Sequence, residues 1–114
     1  MIAVLFEVEM RPGMEDQYIE LARQLSESLQ GFDGFLGVER FRSLANESKL
    51  LSLSYWTNEE AVSRWRNLDQ HRAAQMQGRA EIVSNYTLRI ADVQRSYGMN
   101  DRTEAPTDSR SVHG

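Results

Sequence analysis

The chain has 114 residues, of which 40% are hydrophobic and 26% charged, and its net charge at pH 7 is −4. This length is sufficient for one domain with its own core, and the acidic balance argues against a nucleic-acid surface. The absence of cysteine excludes disulfides and thiolate sites, and with only two histidines we expect no metal site. No apolar run is long enough to cross a membrane, and the first residues lack a signal-peptide pattern. We therefore expect a cytoplasmic protein without a membrane partner.

The first third of the chain predicts a strand and a helix. Residues 2–10 alternate with a period of two, which is typical of a strand, and Pro12-Gly13 ends it. From Met14 to about Gln30 the apolar residues follow one stripe of an amphipathic helix. The stripe consists of Met14, Tyr18, Leu21, Leu25 and Leu29. Gly31 stands where a left-handed helix cap is expected.

The rest of the chain predicts three more strands and a second helix. Gly34 to about Ser43 and Lys49 to Trp56 read as an antiparallel hairpin around a short polar turn. Thr57 and Glu60 have the spacing of a capping box, which predicts a helix to about Gln77. Residues 82–97 read as the last strand. The polar segment from Gly98 onward predicts a flexible tail.

The element order is thus βαββαβ, which predicts an α+β, ferredoxin-like fold. In that fold a four-stranded antiparallel sheet carries two helices on one face. We expect one domain over residues 1–97 and a flexible tail over residues 98–114. The second sheet face then needs a cover, and a symmetric homodimer that stacks two sheets would supply it.

A cluster of aromatic and polar residues surrounds the predicted second helix. Trp56 and Trp65 are nine residues apart, and His71, Gln75 and Arg79 follow within fourteen residues of Trp65. Such a cluster predicts either the wall of a ligand cavity or an aromatic core. His71 can act as a base near neutral pH, and Gln75 lies one helical turn further on. Arg79 can contact an anionic substrate or form a structural ion pair.

Further candidates lie on the predicted strands. Phe41, Tyr55 and Tyr86 can contact a ring or belong to the core or an interface. Glu7, Glu39 and Arg89 are predicted to share one sheet face as an ion network or a polar cavity floor.

Three features carry a family resemblance over residues 1–97. The Gly31-Phe32-Asp33-Gly34-Phe35 turn, the spacing from Trp56 to Trp65, and the run from His71 through Ala73-Ala74-Gln75 to Gly78-Arg79 resemble the antibiotic biosynthesis monooxygenase family. The resemblance implies a dimeric α+β barrel. Trp65 matches the tryptophan of that family's second helix. Gln75 falls where the haem-binding branch has its histidine, and the first strand has no asparagine where active branches have one.

The resemblance implies a cofactor-independent monooxygenase that oxidises a small aromatic, quinol or polyketide-like substrate with O2. Trp65 would form a ring wall, with Tyr55 or Phe41 as a second wall. His71 would act as the base or as a hydrogen-bond partner, and Gln75 would orient an oxygen atom. Two alternatives remain open. One is a non-catalytic dimeric barrel that binds a small hydrophobic molecule. The other is a haem-binding or haem-degrading protein, which Gln75 in place of the histidine disfavours.

Overall fold

The computed structural model describes the backbone of residues 1–76 and 81–114, and the side chains of residues 1–68 and 81–114. Its elements, in chain order, are β1 (Ile2–Met10), α1 (Glu15–Leu29), β2 (Phe35–Arg42), β3 (Lys49–Trp56), α2 (Glu59–Met76), β4 (Val83–Asp92) and α3 (Thr107–His113). The predicted βαββαβ order is confirmed from β1 to β4, and α3 is an addition to it. Along this described part of the chain, no helix is long and apolar enough to cross a bilayer.

The sheet has the strand order β2-β3-β1-β4, and every neighbouring pair is antiparallel. This is the topology of the ferredoxin-like α+β fold, so the predicted fold class is confirmed. β4 is shorter than the sequence predicts because its partner among the described strands, β1, begins at Ile2, which lies opposite Asp92. Just beyond this pair, the amide of Val93 donates a 2.9 Å hydrogen bond to the carbonyl of Met1.

Both large helices cover the same face of the sheet. On β1 the even-numbered side chains point toward the helices. Val8 is fully buried in one core cluster with Tyr18 and Ala22 of α1. Ile2 lies in a second core cluster with Ala61 and Val62 of α2. The alternation of strand side chains therefore gives the sheet one helix-covered face and one open face.

The turn that precedes β2 depends on two glycines. Gly31 has a φ of 76° and ends α1, as the sequence predicts. Gly34 has a φ of 87°, and a Cβ atom there would lie 2.5 Å from the Cβ of Ala61. Its carbonyl also accepts a 2.8 Å hydrogen bond from the amide of Thr57. The turn is thus held tightly against the start of α2, and only glycine fits at position 34.

The start of α2 differs from the prediction by one residue. Helix α2 begins at Glu59, and the side-chain oxygen of Asn58 accepts a 2.9 Å hydrogen bond from the amide of Ala61. Asn58 is therefore the N-cap residue, in place of Thr57 with a capping box to Glu60. Asparagine caps at least as well as threonine, and Thr57 is already bound through its amide to the Gly34 turn.

The last segment contains a short helix, α3, that the sequence does not predict. Helix α3 has no buried residue, but two arginines close this segment on itself. Arg102 donates to the carbonyls of Gly98 and Gly114, and Arg110 donates to the carbonyl of Ala105. Arginine donors that satisfy several carbonyls at once can order a segment that buries little apolar surface. The division into a domain of residues 1–97 and a separate tail stays a prediction.

Candidate functional site

A cavity of about 710 Å³ lies between the sheet and the two large helices, and it borders both core clusters. Its volume is typical of sites for small organic molecules, which measure about 300–1,000 Å³. Its floor consists of Val4, Phe6, Val38, Arg40, Ser52, Ser54, Trp56, Tyr86, Leu88 and Ile90, with Val83, Ser84 and Asn85 at the start of β4. Its helical side consists of Tyr18, Leu21, Ala22, Leu25, Leu29, Val62, Trp65 and Arg66.

The hollow arises from small side chains in the middle of β3. The helix-facing residues of this strand are Leu50, Ser52, Ser54 and Trp56. The two large residues at the ends fill the two core clusters, whereas the two serines between them occupy little volume. Leu21 and Leu25, on the predicted stripe of α1, line the space above and are only partly buried. A sheet with large residues at all four positions would close this gap.

One end of the cavity is an aromatic wall. Trp56 is 2% exposed and lies against the edges of Phe32 and Phe35, with ring centroids 6.1 and 5.3 Å away. Trp65 also meets Phe32 edge-on at 5.6 Å, and its centroid is 6.5 Å from that of Trp56. Trp56 is the core member of the pair, while the partly buried Trp65 lines the cavity from α2. Edge-to-face contacts of this kind hold the rings in fixed orientations.

Tyr18 and Arg40 add polar groups to the apolar lining. Burial raises the pKa of the Tyr18 phenol, although the charge of Arg40 opposes this shift. Burial also lowers the pKa of Arg40, which an arginine tolerates without losing its proton near neutral pH. Both groups are therefore hydrogen-bond donors toward a bound ligand, one neutral and one cationic.

The predicted site residues that the structure describes fall on both faces of the sheet. Trp65 and Tyr86 both line the cavity. Tyr55 lies opposite Ala3, and Phe41 opposite Leu51, on the open face. Because these two rings point away from the helices, they do not form the second wall beside Trp65 that the sequence suggested. Trp56, the residue that follows Tyr55 on β3, is the ring beside Trp65 instead.

The remaining predicted site residues are His71, Gln75 and Arg79. The backbone of His71 and Gln75 is part of helix α2, but their side chains lie outside the described part of the structure. Arg79 lies outside it altogether. The proposed roles of these three residues therefore stay predictions.

Sequence reasoning missed Tyr18, Arg40 and Ser52 as cavity residues. The helical stripe indicated that Tyr18 is buried, but not that it borders a hollow. The available signal was the pair of serines at alternate positions of a strand whose neighbours are large and apolar. Buried strand positions normally carry large side chains, so two serines in such a row indicate missing volume.

The open face carries an ion triad. Glu7 of β1 lies 3.4 Å from Lys49 of β3 and 3.4 Å from Arg89 of β4. The hydrogen bond and charge of Lys49, together with Arg89, hold the pKa of Glu7 below its usual value. The predicted link between Glu7 and Arg89 is present, with Lys49 as the third member in place of Glu39. Apolar side chains surround the triad, including Leu5, Leu51 and Leu53, which are partly exposed.

In the described residues, no group of three or more histidine, cysteine, aspartate or glutamate side chains is placed to hold a metal ion. The class of protein is thus a small α+β protein. Its ferredoxin-like sheet and its helices enclose a mainly apolar cavity of the size that suits a ligand. Comparison with known proteins identifies the family within this class.

The family model described as antibiotic biosynthesis monooxygenase matches residues 1–77. A jasmonate monooxygenase from Pyricularia oryzae is 37% identical over 101 residues, which are 89% of this chain and 47% of that protein. An uncharacterised Bacillus subtilis protein, YqjZ, is 31% identical over 75% of this chain and 74% of its own length. The chain therefore belongs to the antibiotic biosynthesis monooxygenase family, and it spans about half the length of the Pyricularia relative.

Among solved structures, the fold is similar to that of a haem degrader from Mycobacterium tuberculosis, which has two haems bound in its active site. The two chains are 20% identical with a TM-score of 0.68, and the match covers 86% of this chain and 100% of the other. This similarity shows a shared fold.

Proposed function

We propose that this chain is a cofactor-independent monooxygenase that oxidises a small, mainly apolar ring compound with O2. The observation that carries the proposal is the cavity of about 710 Å³ with Trp65 and Trp56 at one end. Its size suits a compound of two or three rings, and its lining is mainly aliphatic and aromatic. Membership of a monooxygenase family supports oxygen chemistry at this site.

The reaction needs little from the protein besides binding and proton transfer. A phenol, quinol or anthrone loses a proton, and its anion reduces O2. One oxygen atom then enters the substrate and the other leaves as water. Trp65 would hold the ring, and the apolar lining would exclude water from the anion. The neutral Tyr18 phenol can donate a hydrogen bond to the developing oxygen anion, while His71 is the proposed base and Gln75 the proposed second donor.

The substrate class remains part of the proposal. The name of the Pyricularia relative includes jasmonate. Jasmonate is therefore worth testing beside anthrones and quinols. Tyr86 is a further proposed substrate contact because it lines the cavity from β4, where its ring lies 5.5 Å from that of Phe6. Arg79 stays a proposed contact for an anionic substrate.

We also propose that the protein is a homodimer that stacks the open faces of two sheets. This face presents Leu5, Leu51, Leu53, Tyr55 and Phe41 around the Glu7 triad. An apolar surface with paired charges at its centre is well suited to a symmetric interface. The cavity lies on the other face, so each subunit would keep its own site.

A second candidate is a non-catalytic protein that binds a small hydrophobic molecule in the same cavity. The missing first-strand asparagine favours it. Haem binding is the third candidate. The described cavity lining contains no histidine, cysteine or methionine, which are three common axial ligands of haem, and Gln75 replaces the family's histidine.

Oxygen uptake distinguishes these functions. Purified, colourless protein is mixed with anthrones, quinols and jasmonate in an oxygen electrode, and products are analysed by mass spectrometry under ¹⁸O2. The proposal predicts substrate-dependent uptake and one labelled oxygen atom per product. Trp65→Ala should lower the rate at least about tenfold, whereas Leu44→Ala, in an exposed turn, should not. Binding without uptake across the panel would favour the second candidate, and a Soret shift on haem titration would favour the third.

A further inference from the structure

The described lining of the cavity is cationic although the chain as a whole is acidic. The net charge is −4, yet the charged side chains of the described lining are Arg40 and Arg66, and no carboxylate is among them. Positive charge in a mainly apolar hollow attracts an anionic ligand more strongly than the same charge on an open surface. The charge of the described lining is therefore positive, whereas the net charge of the chain is negative.

Arg40 is the inner of the two cations, and its hydrogen-bonding capacity is only partly used. Its Nη1 donates a 2.6 Å hydrogen bond to Oγ of Ser26 on α1. Its Nε is buried without a hydrogen-bond partner among the described residues. A guanidinium carries five N–H donors, and an unsatisfied buried donor is costly unless a ligand completes it. Ser26 thus fixes the direction of a group that still has donors to offer.

The neighbouring arginine of the same strand shows the contrast. Arg42 lies two residues further along the helix-facing side of β2, where it pairs with Glu15 and donates a 2.7 Å hydrogen bond to the carbonyl of Glu47. Arg40 borders both the cavity and a depression beside α1, whereas Arg42 borders the depression and does not line the cavity. Arg42 is thus paired with a carboxylate of the protein, that of Glu15. Arg40 is instead bonded to the serine hydroxyl and lies near the phenol of Tyr18.

The register sets the distance from Arg40 to the aromatic wall. Arg40 lies opposite Ser52, which is four residues from Trp56 along β3. At the usual strand rise, this separation is about 13 Å between backbones. A ligand that reaches from one to the other needs a ring and a polar head joined by a short aliphatic chain.

We propose that Arg40 binds the carboxylate of an organic acid whose ring lies against Trp65 at the other end of the cavity. Ser26 is then a positioning residue for the guanidinium. The inference rests on the proposed function, because both place the ligand in this cavity. It narrows the substrate class from apolar ring compounds to ring-bearing carboxylic acids.

An acid and its isosteric amide test this inference. 4-Phenylbutyrate and 4-phenylbutyramide have the same shape, and only the acid is charged at pH 7. Binding to the intact chain is measured by calorimetry and by quenching of the two tryptophans. The wild type should bind the acid at least about tenfold more tightly than the amide, as expected for a charge-assisted hydrogen bond.

Variants locate the origin of that preference. Arg40→Gln should weaken acid binding to the level of the amide and leave amide binding within about twofold, while Arg40→Lys should keep part of the preference. Arg42→Gln is the matched control and should bind both probes as the wild type does. Circular dichroism and the melting temperature check that each variant is folded.

The outcomes separate the inference from the proposed function. Equal binding of acid and amide by the wild type would overturn the Arg40 inference and leave the cavity as a ligand site. An acid preference that persists in Arg40→Gln, or that disappears in Arg66→Gln alone, would also overturn it. Failure of both probes to bind would overturn the inference together with the proposed ligand site.

Discussion

The indole Nε1 of Trp56 donates a 2.9 Å hydrogen bond to Oγ of Ser54, two residues earlier on the same side of β3. This bond lets Trp56 lie 2% exposed in the core without an unpaired donor. The two serines of this strand thus have different roles. Ser54 satisfies a core residue, whereas Ser52 contributes mainly its small size to the cavity floor.

The first prediction compares these serines. Ser54→Ala removes the acceptor of a buried donor and should lower the free energy of unfolding by about 1–3 kcal/mol. Ser52→Ala removes a hydroxyl at the cavity floor and should change it by less than about 0.5 kcal/mol. Urea denaturation followed by tryptophan fluorescence measures both values. Equal effects of the two substitutions would contradict the role given to the Trp56–Ser54 bond.

The second prediction concerns the turn that holds α2. Gly34→Ala introduces a Cβ atom 2.5 Å from the Cβ of Ala61 at a φ of 87°. We expect a loss of about 2–4 kcal/mol in the free energy of unfolding, from backbone strain together with overpacking. Gly13→Ala is the control, because its φ is 81° but nothing lies within 4 Å of an added Cβ. It should cost about 1 kcal/mol. A cost at position 34 no larger than at position 13 would show that the Gly34 contact is unimportant.

The comparison of sequence and structure shows what a pattern can specify. The bounds of β1 and β3 follow from alternation together with the turn and cap residues that flank it, because a period of two is unambiguous over eight or nine residues. The cavity could not be predicted in the same way, since it depends on which apolar positions of different elements face one another. Tyr55 shows the limit. As an aromatic next to Trp56 it suggested a shared wall, but adjacent strand residues point to opposite faces.

The third prediction is a pH dependence that arises from Glu7. Its pKa in the folded state is lowered, chiefly by Lys49, from an ordinary value of 4.5. The triad therefore stabilises the fold fully above pH 4.5, and this contribution is lost as the pH falls through the lowered folded-state pKa. Glu7→Gln should be less stable than the wild type at pH 7, and the two should converge as the pH falls below 4.5.

Glu9→Gln is the matched control for this effect. Glu9 shares the open face of β1, and its side chain takes part in no ion pair of the described residues. Its melting temperature should follow that of the wild type across the same pH range. If Glu7→Gln and Glu9→Gln have the same pH profile, the triad does not account for the dependence.

The fourth prediction concerns the C-terminal segment. Deletion of residues 98–114 should leave the four-stranded fold intact and lower the free energy of unfolding by less than about 1 kcal/mol. The reason is that α3 buries no residue, and the hydrogen bonds of Arg102 and Arg110 remain within the segment. The deletion also removes two exposed contacts, the hydrogen bond from the amide of Ser96 to Glu104 and the packing of Arg102 on the ring of Tyr97. Circular dichroism and thermal unfolding measure the effect. A loss of more than about 2 kcal/mol would show that the segment belongs to the core domain.

The fifth prediction fills the cavity from its floor. Ser52→Leu places an apolar side chain in the space between the sheet and α1. The free energy of unfolding should fall by no more than about 1 kcal/mol, or should rise, because the substitution fills a void. It also leaves the hydrogen bond from Trp56 to Ser54 in place. Affinity for 4-phenylbutyrate should fall at least about tenfold, as calorimetry can measure. Unchanged affinity would place the ligand elsewhere.

Oxygen uptake by the wild type and by Ser52→Leu, with the same panel of anthrones, quinols and jasmonate, tests the central claim most directly. The claim is that this cavity is where a substrate reacts with O2. The wild type should consume oxygen with at least one of these substrates, and Ser52→Leu, equally folded, should consume it at least about tenfold more slowly. Equal rates for the two proteins, or no uptake by the wild type with any substrate, would contradict the account.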